Sequence, residues 1–299
     1  MALTLRGFVD LPAHTQGGFD HADVHLESGR IFVAHTANGT VEMIDAINRR
    51  HLATIPGCPE ASGVLCAQDE GMVFAASRSA GKVLVIDARS GTVTRELMVG
   101  PRPNGLAWDA TRKHLLVADV EDLTARVMDP ASGKLVKLVV LPGRPRWAIY
   151  DADRDRFLIN IREPATVLLL GAKDAVPMQT WRISAAGPHG LDVDAAGGKA
   201  FVACDGATVV MLDLATGQEM GTTPITGEPD VVWFNPARQR LYVAVGTPGV
   251  VEVIDTRFLT PIETVTSEDG AHTTAFDQSR QRLYVFLPHS CRVAVYEET

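Results

Sequence analysis

Seven polar or charged residues recur along the chain about once every 42 residues, each shortly before a short apolar run. They are His21, Glu60, Asn104, Arg146, His189, Asp230 and His272. Histidines and carboxylates together are the side chains that bind transition metals and transfer protons. The set therefore predicts a divalent metal ion held by His21, His189 and His272. Glu60 or Asp230 would supply the fourth ligand or a catalytic base.

The mixture of ligands limits the kind of metal. Imidazole and carboxylate ligands suit zinc, iron, manganese or nickel better than calcium, which prefers oxygen. An open coordination position would activate water or polarise a substrate oxygen, and a nearby carboxylate would move the proton. The alternative interpretation is a polar channel mouth whose side chains only hydrogen-bond to one another.

Arginine and amide side chains predict the class of substrate. Arg146 and Asn104 belong to the recurring set, and Arg78 and Arg162 follow the apolar runs of two repeats. Guanidinium groups bind carboxylate and phosphate through two parallel hydrogen bonds. We therefore expect a small anionic substrate, with Arg146 also taking part in catalysis. Two histidines after the apolar runs of the first and last repeats are further candidates for substrate contacts: His35 and His289.

These side chains would be positioned by the strands of a repeated unit. The apolar run occurs seven times and ends at residues 34, 75, 118, 160, 203, 244 and 286, so successive copies are 41 to 43 residues apart. A second run rich in β-branched residues follows, as at 251–255, and then an Asp–Gly turn, as at 213–217. Four strands in about 42 residues are typical of a β-propeller blade. The sequence predicts an all-β fold, a seven-bladed β-propeller of four-stranded antiparallel blades, as one domain over residues 1–299.

Closure of the ring can also be predicted. The last repeat supplies three strands, and residues 3–9 at the other end of the chain have strand character. We expect this N-terminal strand to pair into blade seven as its outer strand, because that pairing removes a free sheet edge.

The repeats resemble those of a known family. The runs Leu-Tyr-Val-Ala at 241–244 and Val-Glu-Val-Ile-Asp at 251–255, with Thr-Gly at 216–217, resemble the YVTN-repeat propellers over essentially the whole chain. The segment Gly-Pro-His-Gly-Leu at 187–191 also resembles the repeats of virginiamycin B lyase, a related seven-bladed enzyme. The resemblance implies the ring architecture and leaves the function open, since YVTN-type propellers include binding modules and more distant lactonases. Regucalcin-like lactonases hold calcium through oxygen ligands at a similar place, and the histidines here depart from that pattern.

Composition and missing motifs argue against other classes. A net charge of −8 disfavours nucleic acids and anionic membranes as partners. No segment approaches the roughly 20 apolar residues of a membrane span, and the sequence contains no HExxH, GxSxG, GxGxxG or P-loop motif. Four cysteines without a CxxC pair indicate reduced thiols. We expect a cytoplasmic location, or a periplasmic one if an export signal has been removed.

Two functions from different classes remain open. The first is a metal-dependent enzyme that hydrolyses a lactone or ester, or catalyses an elimination, on a small anion in the channel mouth. The second is a non-catalytic YVTN-type propeller that binds a protein partner or a small ligand on the same face. A metal-dependent oxidoreductase is a third possibility.

Three tryptophans early in their repeats are interpreted as packing between blades: Trp108, Trp147 and Trp233.

Overall fold

The computed structural model describes residues 3–298, which form 28 β-strands and one 3₁₀ helix, Ala152–Arg154. No helix in this part of the chain is long and apolar enough to cross a membrane. The strands are β1 (Leu3–Asp10), β2 (Ala22–His25), β3 (Arg30–His35), β4 (Thr40–Asp45), β5 (Arg50–Ile55), β6 (Ala61–Ala67), β7 (Met72–Ser77), β8 (Lys82–Asp87), β9 (Val93–Met98), β10 (Pro103–Asp109), β11 (His114–Asp119), β12 (Thr124–Asp129), β13 (Lys134–Val140) and β14 (Pro145–Asp151). They continue as β15 (Arg156–Ile161), β16 (Thr166–Gly171), β17 (Pro177–Arg182), β18 (Pro188–Asp194), β19 (Lys199–Cys204), β20 (Thr208–Asp213), β21 (Glu219–Pro224), β22 (Pro229–Asn235), β23 (Arg240–Val245), β24 (Val250–Asp255), β25 (Thr260–Thr266), β26 (Thr274–Asp277), β27 (Arg282–Leu287) and β28 (Arg292–Glu298).

The strands form seven antiparallel sheets of four strands, which are the blades. Blade 1 is β2 to β5, each of the next five blades is the following group of four strands, and blade 7 is β26 to β28 with β1. The first strand of every blade contacts the first strands of both neighbouring blades, and β26 contacts β2. These seven inner strands therefore surround a central channel. The predicted seven-bladed β-propeller is confirmed.

Blade 7 is completed by the N-terminal strand. β1 pairs with β28 in antiparallel register, with Val9 opposite Val293, and the register shifts once between Leu5 and Gly7. The two ends of the described chain thus share one sheet, as predicted. Because the strand hydrogen bonds of β28 are used in this way, the ring is closed without an exposed edge at that strand.

Aspartate turns connect the strands, as the sequence predicts. Asp87 Oδ1 accepts hydrogen bonds from the backbone N–H groups of Arg89 and Ser90, at 3.1 and 2.7 Å. Asp213 does the same for two N–H groups after β20. The glycine that ends each of these turns, Gly91 or Gly217, has a φ of 72° or 75°, a conformation that glycine adopts without steric cost.

The hydrophobic core lies between neighbouring blades. Buried apolar side chains form seven clusters, each shared by two adjacent blades. Phe201 of blade 5, for example, is fully buried and its ring centroid lies 5.3 Å from that of Phe234 in blade 6. Burying a side chain of this size stabilises the fold by about 1.5–3 kcal/mol. Packing of this kind fixes the inner strands and the residues at their ends.

Candidate functional site

The strand register defines which residues are equivalent around the channel. Four inner strands begin with a proline that pairs with the last residue of the next strand, as Pro103 pairs with Asp119. The residue after this proline then occupies the same place at one end of the channel, here called the mouth. Its occupants in blades 3 to 6 agree with the sequence expectation: Asn104, Arg146, His189 and Asp230. In blade 7 the register of β26 with β27 places His272 there.

The register corrects the expected set in blades 1 and 2. The pairing of β2 with β3 has the same register as the pairing of β26 with β27. The residue of blade 1 that is equivalent to His272 is therefore Asp20 and not His21. The hairpin between β2 and β3 has the same length as the corresponding hairpin of blade 6. In blade 2, Ala61 pairs with Ser77, so Ser62, not Glu60, occupies the mouth position. Glu60 follows a proline as the mouth residues of blades 3 to 6 do, but this proline, Pro59, lies two residues before Ala61, the residue that takes the place of the proline in the pairing.

His189 lies between two carboxylates. Its Nδ1 is 2.8 Å from Asp205 Oδ1, and its Nε2 is 3.1 Å from Asp230 Oδ1. Burial disfavours the imidazolium, but the charges of Asp230 and Asp205 prevail and raise the pKa of His189 to about 9. The charge of His189 in turn holds the pKa of Asp230 well below its usual range in spite of burial. At neutral pH the group is a protonated histidine flanked by ionised carboxylates.

His272 stands on the other side of Asp230. Its Nδ1 is 3.4 Å from Asp230 Oδ2, and its Nε2 is 2.9 Å from the carbonyl oxygen of Phe19. A carbonyl only accepts, so Nε2 donates this hydrogen bond, and Nδ1 is the nitrogen that faces Asp230. The side chain of His272 is 42% exposed, compared with 15% for His189. Solvent and a ligand can therefore reach this histidine.

Arg146 is a cation without a protein partner. Within residues 3–298 its guanidinium makes no hydrogen bond and no ion pair, and its Nε is buried without a hydrogen-bond acceptor. Burial and then the charge of Arg144 lower the pKa of Arg146, whereas the charges of Asp230 and Asp205 oppose that effect. Buried polar groups are usually hydrogen-bonded, so a free guanidinium at this place has the capacity to bind an anion.

A second polar group occupies the blade 1 to 3 side of the mouth. Arg78 hydrogen-bonds to Asn104 Oδ1 and lies 2.9 Å from Asp20 Oδ2. His21 Nε2 is 3.3 Å from Asp20 Oδ1, and its ring contacts that of Trp147 at a centroid distance of 4.4 Å and an interplanar angle of 46°. His21 therefore lies just below the mouth. Burial lowers its pKa, although Asp20 opposes that effect.

Four other predicted site residues have different surroundings. Glu60 pairs with Arg102 and accepts a hydrogen bond from Ser79, so its carboxylate is engaged at the rim. Arg162 Nε is 2.7 Å from Asp205 Oδ2, which joins this arginine to the His189 group. The remaining two residues are histidines that make no contact with the His189 group. His35 is fully buried and hydrogen-bonds to His14 and Glu42, and His289 is exposed.

The expected metal ligands already have partners within the protein. His189 and His272 both face Asp230, whereas His21 faces Asp20 and Glu60 pairs with Arg102. Both nitrogens of His189 face carboxylates, and His272 points Nε2 at the Phe19 carbonyl oxygen and Nδ1 at Asp230. Among the described residues, no group of three His, Cys, Asp or Glu side chains is arranged to hold a metal ion. The divalent metal thus remains a prediction from the sequence, and the observed arrangement does not fit one.

Glycines in the inner strands help to place the mouth residues. A methyl group on Gly105 would collide with the carbonyl oxygen of Arg146 in the next blade, and one on Gly190 would collide with that of Asp230. Each glycine directly follows a mouth position in its own strand. The absence of a side chain lets adjacent inner strands approach until Arg146 and Asp230 lie beside His189.

Two residues of the site were not identified from the sequence. Asp20 was not identified because the expected alignment of blade 1 assigned its position to His21. Asp205 follows the second strand of blade 5 at the place where Arg78 and Arg162 follow theirs, so the same positional rule could have found it.

Comparison with protein-family models gives no match to this chain, and comparison with curated proteins gives none either. The class of the protein therefore rests on its structure, that of a seven-bladed β-propeller. This fold serves many unrelated functions, so the function has to be argued from the mouth itself.

Proposed function

We propose that the channel mouth binds a small molecule carrying a carboxylate or phosphate and acts on it by proton transfer. Lactone or ester hydrolysis and elimination are the reaction classes that such a site would serve. The observation that supports this proposal most strongly is the guanidinium of Arg146, which has no partner among the described residues and stands beside a protonated His189.

Anion binding follows from the balance of charge. The two carboxylates Asp205 and Asp230 are balanced by two cations, His189 and Arg162. Arg146 is left with a positive charge that no ion pair within residues 3–298 neutralises. A bound carboxylate or phosphate would supply the missing acceptor through two parallel hydrogen bonds.

Proton transfer is assigned to His272 with Asp230. An ionised carboxylate beside an imidazole stabilises the imidazolium that forms when the ring accepts a proton. The bond from His272 Nε2 to Phe19 fixes the ring, and its exposure admits a substrate. His189 would act as a positioning residue, because both of its nitrogens face carboxylates and its charge keeps Asp230 ionised.

The proposed relationship to YVTN-repeat propellers, and through them to virginiamycin B lyase and regucalcin-like lactonases, rests on the repeat sequences together with the seven-bladed ring. A binding-only role is the second candidate. It is favoured by the pairing of both His189 nitrogens, which leaves fewer free groups for chemistry than a typical enzyme site.

Turnover measurements separate the two roles. A panel of carboxylate-bearing lactones, esters and eliminable hydroxy acids is assayed with the wild type, Arg146→Met, His272→Gln and the exposed control Arg182→Met. Arg146→Met should raise KM about 10- to 100-fold, the usual worth of a charge-assisted hydrogen-bond pair. His272→Gln should abolish turnover and leave binding intact. Ligand binding without turnover in the wild type would favour the binding-only role.

A further inference from the structure

A separate cavity of about 370 Å³ lies in the channel beyond the mouth. That volume is within the range of small-molecule sites. Its upper end is formed by His21 and Trp147, which directly follow the mouth positions of blades 1 and 4 and whose tilted rings are in contact across the channel. The cavity is therefore distinct from the Arg146 group, and its ligand need not be the ligand of the mouth.

Aromatic rings form much of the wall. Trp108, Trp147, Tyr150 and Trp233 all line the cavity, so the three tryptophans do more than pack between blades. Trp233 is fixed by a 3.1 Å hydrogen bond from Nε1 to the carbonyl oxygen of Thr274. The faces of such rings carry negative electrostatic potential and attract cations within about 6 Å.

Three aspartates line the cavity. Asp69 is paired with Lys113, whereas the other two, on blades 1 and 5, form no ion pair within the described residues. Asp23 accepts hydrogen bonds from the backbone N–H groups of Val24 and Cys66, at 2.7 and 2.8 Å. Asp192 accepts them from Val193 and from a residue of the next blade, at 2.8 and 2.6 Å. Both carboxylates are thus held rigidly at the cavity, each by one bond within its own strand and one to the adjacent inner strand.

Asp23 and Asp192 have no cationic partner in the part of the cavity wall that the structure describes. Among the described residues that line the cavity, none is a lysine or an arginine. Burial, with a contribution from the charge of Asp192, raises the pKa of Asp23 to about 7. Burial also raises the pKa of Asp192 to about 6. A positive charge inside the cavity would remove this penalty.

We propose that the cavity is a binding site for an organic cation of the alkylammonium class. Carboxylates alone would also attract a hydrated metal ion, but aromatic walls offer it no oxygen ligands. An alkylammonium group uses both features, because its charge interacts with the carboxylates and with the ring faces while its methyl groups bury apolar surface.

Choline and its uncharged isostere 3,3-dimethyl-1-butanol test the proposal by isothermal titration calorimetry. The wild type should bind choline saturably and the alcohol at least about tenfold more weakly, since the charge is the only difference. Asp192→Asn and Trp233→Leu should each weaken choline binding about tenfold, whereas the exposed control Glu121→Gln and the mouth variant Arg146→Met should not.

Trp233→Leu keeps the test valid if Asp192→Asn fails to fold, because Asp192 also bonds two blades together. Three results would overturn the proposal: no saturable choline binding, equal affinity for the alcohol, or choline binding unchanged in a folded Asp192→Asn or Trp233→Leu variant.

Discussion

The double carboxylate contact of His189 predicts a pH dependence of stability. The pKa of this histidine is about 9 in the folded protein, against 6.5 for the free side chain. Because the folded pKa is the higher one, the stabilisation is fully present below about pH 6.5 and is lost as the pH rises through 9. At 1.36 kcal/mol for each unit of difference, it amounts to about 3 kcal/mol between pH 6 and pH 10.

Urea unfolding of the wild type and of His189→Gln at both pH values measures this loss. Lysines, tyrosines and cysteines titrate in both proteins, so the difference between them isolates His189. The wild type should lose about 3 kcal/mol more than the variant, whereas the exposed control His289→Gln should behave as the wild type does. Histidine NMR gives the pKa directly. A His189 pKa below 7, or equal losses in wild type and variant, would refute the assigned contacts.

Two further predictions concern positioning and packing. Gly105→Ala should weaken anion binding about tenfold in a calorimetric titration, because the added methyl group collides with the carbonyl oxygen of Arg146 and displaces that strand. Unchanged affinity would show that the spacing of the two strands is not critical for binding. Phe201→Ala, at a fully buried position between blades 5 and 6, should lower the free energy of unfolding by about 3–5 kcal/mol in urea. Phe258→Ala, whose side chain is 76% exposed, should change it by less than about 0.5 kcal/mol, and similar losses in both variants would contradict the assigned core.

The fold could be predicted from the sequence because each blade repeats the same local signals. β-branched runs, aspartate turns and glycines with positive φ recur at a constant spacing, and each is a short-range property. The closing strand was predictable for a related reason, since a seventh blade with three strands requires a fourth. Blade 1 has no proline before its mouth residue, and the proline of blade 2 lies two residues before the place it takes in blades 3 to 6, so the expected mouth residues of these two blades differ from the observed ones.

The site was only partly predictable because it depends on contacts between blades. Spacing placed His189, Asp230 and His272 at one end of the channel, and the structure brings them into contact. Spacing could not show that His189 Nδ1 pairs with Asp205 while Nε2 faces Asp230, so that both ring nitrogens are engaged. Nor could it show that His35 bonds inward to Glu42, since the direction of a side chain depends on its neighbours in three dimensions.

The most direct test of the proposed function is a calorimetric titration of the wild type and Arg146→Met with succinate and with phosphate. The guanidinium without a protein partner predicts saturable binding of at least one of these anions by the wild type. It also predicts a loss of affinity of about tenfold or more in Arg146→Met, with Arg182→Met unchanged. Absence of binding to the wild type, or equal affinity in Arg146→Met, would contradict an anion site at the mouth.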